Sequence, residues 1–159
     1  MKKSILTLSL VWFATLWVMA QPINKATFAT MVRTAEEKME EKDYYNAVEW
    51  YQKAYDEQKD YDIAIKIADL SYMLRDYKKS ARYYGNALKR DKKNKYTEYR
   101  FNYARSLKMM AKPDEAIKEF ERYIKEGTNE EWKEFAKNEI SGAEFAKIAP
   151  EPELSLIHI

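Results

Sequence analysis

A repeat with a period of 33 to 36 residues dominates the sequence and limits the folds open to it. Three segments correspond: KDYYNAVEWYQKAYDEQ from Lys42, RDYKKSARYYGNALKRD from Arg75 and AKPDEAIKEFERYIKEG from Ala111. Each has a small residue, an aromatic residue four positions on, and a third matched residue three positions later. These residues are Ala47, Tyr51 and Ala54, then Ser80, Tyr84 and Ala87, then Ala116, Phe120 and Tyr123. Such a repeat predicts stacked copies of one small structural unit.

A second helix-like segment precedes each of these three and carries a small residue of its own, at Ala35, Ala68 and Ala104. A small residue on each of two helices lets their backbones approach closely, and the aromatic residue then fills the space beside the pair. With three Gly and four Pro there is little turn chemistry for a β-rich fold. With 46% hydrophobic and 14% aromatic residues the chain is also too apolar for a disordered one. The pattern therefore predicts an all-α fold of stacked helix pairs.

This pattern resembles the tetratricopeptide repeat (TPR) family, whose second helix carries small–x3–aromatic–x2–small. The first two units match that signature, and the third departs from it because Tyr123 stands at the last small position. KDY, RDY and KPD supply the turn before each second helix. The resemblance implies a right-handed all-α solenoid over residues 28–149, made of three helix pairs and a C-terminal capping helix. The repeats are expected at about 28–59, 60–93 and 96–127.

A seventh helix is predicted over residues 129–149, where it would cover the last repeat. Thr128 or Asn129 is placed to cap it, and the two acidic residues that follow would face the positive end of the helix dipole. Apolar residues at helical spacing predict its buried face. They are Trp132, Phe135, Ala136, Ile140, Ala143 and Phe145.

The resemblance also implies a binding surface, because TPR arrays usually bind peptides on the concave side lined by the first helix of each pair. The repeat register places Val32 and Glu36 there, together with the residues we expect to contact a partner. Those are Met39, Ile65, Asp69, Tyr72, Phe101, Arg105 and Lys108. An ordinary solvated surface is the alternative. Some TPR domains clamp a terminal carboxylate, but the equivalent positions are Val32, Glu36, Lys66, Glu98 and Asn102, two of which are acidic and would repel it.

Little in the sequence points to catalysis. There is no Cys, one His, and no Gly-rich phosphate loop or metal-ligand spacing, so we expect no enzyme, cofactor or metal site. The net charge of +2 falls to near zero once Lys2 and Lys3 are removed, and we expect no nucleic-acid binding. The surplus of Tyr leaves a glycan- or peptidoglycan-binding module as the alternative function. Most of the aromatic residues are nevertheless predicted to fill the core, foremost Tyr44, Tyr51, Tyr77, Tyr84 and Phe120.

The N-terminus has the pattern of an export signal: MKK, then the apolar run ILTLSLVWFATLWVMA, with small residues before a cut after Ala20. We expect residues 1–20 to be removed, leaving a lead at 21–27. An uncleaved anchor is the alternative, but a run of 16 residues is shorter than the ~20 that span a bilayer. No later segment is predicted to span a membrane.

The C-terminus raises a separate question, because LSLIHI at 154–159 is apolar after a polar linker start at 150–153. The codons CTG TCT CTT ATA CAC ATC encode this hexapeptide and match a transposon adapter used in sequencing libraries. We therefore expect a non-native tail on a protein that continues. GAEFAKIAPEPE resembles a junction in exported envelope proteins of the type IX secretion and gliding class, where a β-propeller and an OmpA-like domain follow the TPR region. That resemblance implies a periplasmic, outer-membrane-associated scaffold with a protein partner, and peptidoglycan contact through the downstream domain.

Overall fold

The computed structural model describes residues 27–148, and this part of the chain is helical. The predicted signal peptide, nearly all of the predicted lead, the predicted linker start and the predicted non-native tail lie outside the described residues. The helices are α1 (Phe28–Glu40), α2 (Tyr44–Glu57), α3 (Tyr61–Met73), α4 (Tyr77–Arg90), α5 (Arg100–Met109), α6 (Pro113–Glu126) and α7 (Glu130–Ile148), with a 3-10 turn (Thr97–Tyr99) before α5.

Each helix packs against the next one along the chain, and the tightest association is within the pairs α1–α2, α3–α4 and α5–α6. Helix α7 packs on α6 and also touches α5, so it occupies the place that the first helix of a fourth pair would take. The all-α solenoid of three helix pairs followed by one further helix is therefore confirmed. In such a stack each unit buries its apolar faces against its neighbours.

The turn inside each pair has the same construction in all three repeats. Lys42, Arg75 and Ala111 adopt left-handed backbone conformations, with φ between 55° and 62°. The residue after each of them donates its N–H to a carbonyl five positions back, which closes the helix end in a Schellman-type motif. The donors and acceptors are Asp43 and Lys38 (2.9 Å), Asp76 and Ser71 (2.8 Å), and Lys112 and Leu107 (3.1 Å).

Side-chain caps then begin the next helix. Asp43 Oδ1 accepts from the Asn46 N–H at 3.3 Å and Asp76 Oδ1 accepts from the Lys79 N–H at 3.0 Å. The third pair uses Pro113 in its first turn instead, a position where the missing N–H costs nothing. The short KDY, RDY and KPD segments thus end one helix and start the next.

The repeat-signature residues lie in the core. All nine are at most 2% exposed: Ala47, Tyr51, Ala54, Ser80, Tyr84, Ala87, Ala116, Phe120 and Tyr123. Ala35, Ala68 and Ala104 of the first helices are each 0% exposed. Of the other predicted core aromatics, Tyr44 and Tyr77 are only half-buried.

The departure at Tyr123 has a physical reason. Its ring is fully buried and lies 5.7 Å from that of Phe101, while its hydroxyl donates to Glu98 at 2.7 Å. The phenol therefore bridges α6 to the start of α5, which a small residue could not do. Gly127 accommodates the ring, since a Cβ there would lie 2.7 Å from a Tyr123 ring carbon.

Helix α7 buries a narrower stripe than the sequence predicts. Asn129 accepts from the Trp132 N–H at 3.1 Å and so caps the helix, and Ala136 and Ala143 are fully buried. Phe135 is 49% exposed and Phe145 69% exposed, so the expectation that both belong to the buried face is wrong. The small alanines determine how closely α7 approaches α6, and the larger rings are left at its sides.

Candidate functional site

The helices that come first in each pair, α1, α3 and α5, form one surface together with α7. Two open depressions lie on it. The α1–α3 pocket has a volume of about 640 Å³ and is lined by Glu36, Met39, Glu40, Tyr44, Tyr51, Lys66, Asp69, Leu70 and Met73. The α5–α7 pocket has a volume of about 500 Å³ and is lined by Phe101, Arg105, Trp132, Phe135, Asn138 and Glu139.

The α1–α3 pocket combines an apolar floor with a charged rim. Met39 and Leu70 come from its two flanking helices, and Tyr44 and Tyr51 reach it from α2. Met73 ends α3 and is 51% exposed at the pocket edge. Methionine side chains are flexible and polarisable, so they adapt to differently shaped apolar groups.

One cation lies on the rim of this pocket, and it is already paired. Lys66 Nζ donates to Glu36 at 2.9 Å and lies 5.3 Å from the centre of the Tyr51 ring. Partial burial opposes the charged form of Lys66, but the hydrogen bond to Glu36 and the neighbouring Tyr51 outweigh it and raise the lysine pKa. Lys66 is therefore held as a cation inside a local ion pair.

Asp69 provides a carboxylate in the lining of the same pocket. It accepts a hydrogen bond from the hydroxyl of Tyr84, which is otherwise buried in α4. Asp69 is exposed when its whole surface is considered, yet the protein atoms around its carboxyl group remove part of the hydration of that group. This burial raises the pKa of Asp69 more than the Tyr84 hydrogen bond lowers it. Its ionised form is thus incompletely stabilised within the chain.

The α5–α7 pocket is aromatic, and its charges differ from those of the α1–α3 pocket because cations outnumber carboxylates here. The rings of Phe101 and Trp132 meet edge-on at 4.8 Å, and the guanidinium of Arg105 lies 5.9 Å from the Phe101 ring centre. Glu139 of α7 receives both Lys108, at 2.7 Å, and Arg105, at 3.6 Å. Two cations therefore share one carboxylate here.

The structure divides the seven predicted contact residues among different environments. Met39 and Asp69 line the α1–α3 pocket, while Phe101 and Arg105 line the α5–α7 pocket. Tyr72 lines neither pocket but lies beside Arg105, whose guanidinium is 5.4 Å from its ring centre. Their role in partner binding stays a prediction.

Ile65 and Phe101 need a correction in placement, because each is only 4% exposed. Ile65 belongs to the core beneath the surface and offers almost nothing to a partner, while Phe101 contributes one edge of its ring to a pocket. The repeat register could not show how deeply the neighbouring helices cover these two positions.

Sequence reasoning missed several lining residues, including Leu70, Met73, Trp132 and Phe135. The repeat gave no clear signal for Met73. Its equivalents, Glu40 and Met109, likewise end their first helices, but Glu40 lines the α1–α3 pocket and Met109 lines neither pocket. The lining role of α7 depends on its packing, and nothing in the repeat indicates it.

Three of the five positions equivalent to a carboxylate clamp, Glu36, Lys66 and Glu98, are engaged with other side chains or backbone groups of the domain. Glu98 accepts from the Tyr123 hydroxyl at 2.7 Å, and from the N–H and hydroxyl of Thr128 at 2.7 and 2.9 Å. Lys66 is bonded to Glu36. These side chains hold the fold together and present no cluster of cations to a terminal carboxylate.

Tyrosine provides little exposed surface. Of the 13 Tyr residues, all within the described chain, only Tyr45 is exposed beyond about a third of its surface, at 72%. Within residues 27–148, no three His, Cys, Asp or Glu side chains are grouped as metal ligands would be. None of the described helices combines the length and the hydrophobicity that a membrane span requires.

Comparison with solved structures places the chain in the class of TPR solenoids by fold. It is similar to the first TPR of Spaghetti (RPAP3) bound to the HSP90 peptide SRMEEVD, with a TM-score of 0.62, 17% identity, and coverage of 77% of this chain and 94% of that one. It is also similar to the Sgt2 TPR domain from Aspergillus fumigatus, with a TM-score of 0.61, 19% identity, and coverage of 79% and 84%.

A bacterial structure is similar to the same degree. The Yersinia enterocolitica type III secretion chaperone SycD, in complex with a peptide of the translocator YopD, gives a TM-score of 0.60 and 16% identity over 79% of this chain and 98% of that one. No protein-family model matches the sequence, and a search of curated proteins gives no match either.

Proposed function

We propose that this chain is a non-catalytic scaffold that binds a segment of another protein on the surface formed by α1, α3, α5 and α7. The observation that carries the proposal is the α1–α3 pocket, an open depression of about 640 Å³ with an apolar floor and a charged rim. Such a surface suits an extended or helical peptide, whose apolar side chains enter the depression while polar groups meet the rim. RPAP3 and SycD, which share the fold, are each seen with a peptide bound.

The setting we propose is the periplasmic side of a bacterial outer membrane. The export-signal pattern of residues 1–20 supports it, together with the resemblance of GAEFAKIAPEPE to a junction in TPR–propeller–OmpA-like envelope proteins. In that setting the TPR solenoid is the N-terminal part of a longer protein. Its partner is another envelope protein, and contact with peptidoglycan comes through the downstream domain.

The test compares two matched surface variants. Met73→Glu places a charge at the edge of the α1–α3 pocket, and Met109→Glu places the same charge at the corresponding end of α5, where the methionine is 56% exposed and lines neither pocket. Both proteins are immobilised and exposed to an envelope extract and to purified peptidoglycan. We expect a protein partner that Met73→Glu loses and Met109→Glu keeps, with unchanged circular dichroism for both.

Two results would contradict the proposal. A partner retained equally by both variants would place binding away from the α1–α3 pocket. Retention of purified peptidoglycan with no protein partner would favour the glycan-binding alternative, and Tyr45→Ala would then show whether the one strongly exposed tyrosine carries it.

A further inference from the structure

The charges on the α1–α3 pocket are unbalanced. Its lining contains three carboxylates, Glu36, Glu40 and Asp69, against one ammonium group, Lys66, which is bonded to Glu36. Glu40 forms no ion pair with any of the residues that the structure describes. Two negative charges are therefore left without a compensating cation beside an apolar depression.

Asp69 strengthens this imbalance by its position. Its carboxyl lines the pocket and accepts a hydrogen bond from the Tyr84 hydroxyl, and its partial removal from water raises its pKa. A cation brought beside it would restore the stabilisation that burial removes. Opposite charges interact more strongly where water is partly excluded. The floor beside it, formed by Met39 and Leu70, and Met73 at the pocket edge provide apolar contact for a neighbouring side chain.

The α5–α7 pocket lacks this property, since Glu139 is already shared by Arg105 and Lys108. The two ends of the groove therefore differ in charge, and only the α1–α3 end favours a cationic guest. An acidic peptide such as SRMEEVD, which RPAP3 is seen to bind, would meet repulsion there.

We propose that the α1–α3 pocket binds a peptide segment in which an apolar side chain is flanked by lysine or arginine. The inference rests on the proposed function and names the chemistry of the partner. The apolar side chain enters between α1 and α3, and the neighbouring cation pairs with Asp69 and Glu40.

A display library of random 12-residue peptides, selected against the purified full chain, provides the probe. Enriched peptides are synthesised, and their affinities are measured by fluorescence anisotropy beside SRMEEVD. We expect enriched peptides to carry Lys or Arg next to an apolar residue and SRMEEVD not to bind. Glu40→Gln with Asp69→Asn should weaken the selected peptides about five-fold and flatten their salt dependence. The asparagine can still accept from Tyr84.

The matched control is Glu49→Gln with Glu57→Gln, which removes two exposed carboxylates from α2 outside the pocket and should leave affinity unchanged. Enrichment of acidic or uncharged peptides, or equal affinities for the two double variants, would overturn the inference. The proposed function would survive that result if Met73→Glu still abolished binding. If no peptide is enriched, or if Met73→Glu leaves peptide binding unchanged, the inference and the proposed function fail together.

Discussion

Ser80 and Ser106 form a buried hydroxyl pair whose energetics can be predicted in detail. Ser80 occupies the small-residue position of the second repeat, and both serines are 0% exposed. Their hydroxyl oxygens lie 3.0 Å apart, and Ser106 donates to the carbonyl of Asn102 at 2.8 Å. Since Ser106 has a single hydroxyl hydrogen, which goes to Asn102, Ser80 must be the donor in the pair.

This direction makes the two alanine substitutions unequal. Ser80→Ala leaves Ser106 with its donor still satisfied, so it should cost about 1 kcal/mol, the net value of one hydrogen bond. Ser106→Ala leaves the buried hydroxyl of Ser80 without its acceptor. It should cost about 2 kcal/mol, because an unsatisfied buried donor forfeits its hydration. At the size of this domain that difference corresponds to about 3–5 °C in Tm.

The double variant sharpens the test. With both hydroxyls gone, no polar group is left unsatisfied. The double variant should therefore be at least about as stable as Ser80→Ala and clearly more stable than Ser106→Ala. The two changes are therefore non-additive, as expected for residues in direct contact. Replacing both serines removes the cost of burying two hydroxyl groups together with the hydrogen bond between them.

Urea unfolding followed by circular dichroism at 222 nm measures all four proteins. Equal m-values would show that the extent of unfolding is unchanged, so that differences in midpoint report stability. The reasoning is refuted if Ser80→Ala costs more than Ser106→Ala, or if the double variant loses the sum of the two single effects.

Two further predictions concern helix ends. Asp76→Ala removes the side-chain acceptor at the start of α4 and should lower the free energy of unfolding by about 1 kcal/mol. Asp76→Asn keeps an acceptor and should lose much less. Equal losses of stability in urea titrations would argue against capping. Burial opposes ionisation of Glu98, but hydrogen bonds from the Tyr123 hydroxyl and from Thr128 outweigh it and lower the pKa of this carboxyl. The stability that ionised Glu98 gives the fold is therefore complete above the unfolded pKa of 4.5 and is lost as the pH falls through the lower folded pKa. Glu98→Gln should therefore be less stable than wild type at pH 7 and approach it in acid; parallel stability–pH curves would count against this.

Much of the local structure could be predicted from residue types alone. Asp43 and Asp76 start second helices because a carboxylate satisfies the first N–H groups, and the small residues at Ala35, Ala47 and Ala68 recur because helix backbones must approach there. These constraints are short in sequence; the small residues recur in all three repeats and the aspartate cap in two, so the copies support one another.

The candidate site was less predictable, because it depends on how far one helix covers another. Ile65 and Asp69 are one turn apart on α3, yet Ile65 is buried and Asp69 is an exposed residue lining a pocket. Phe135 was assigned to the buried face of α7 and instead lines an open depression beside Arg105. Helical periodicity identifies a face but not its depth.

The sequence by itself determined the repeat, the helix boundaries set by capping residues, and the all-α solenoid, because these follow from local hydrogen bonding and from small residues at fixed spacing. Only the tertiary structure decided which charges meet. Lys66 pairs with Glu36, 30 positions away in sequence, and Lys108 pairs with Glu139, 31 positions away. Stacking of the repeats brings α1 beside α3, and α5 beside α7. Those pairings leave one end of the groove acidic, and this difference is the physical basis for the partner chemistry proposed.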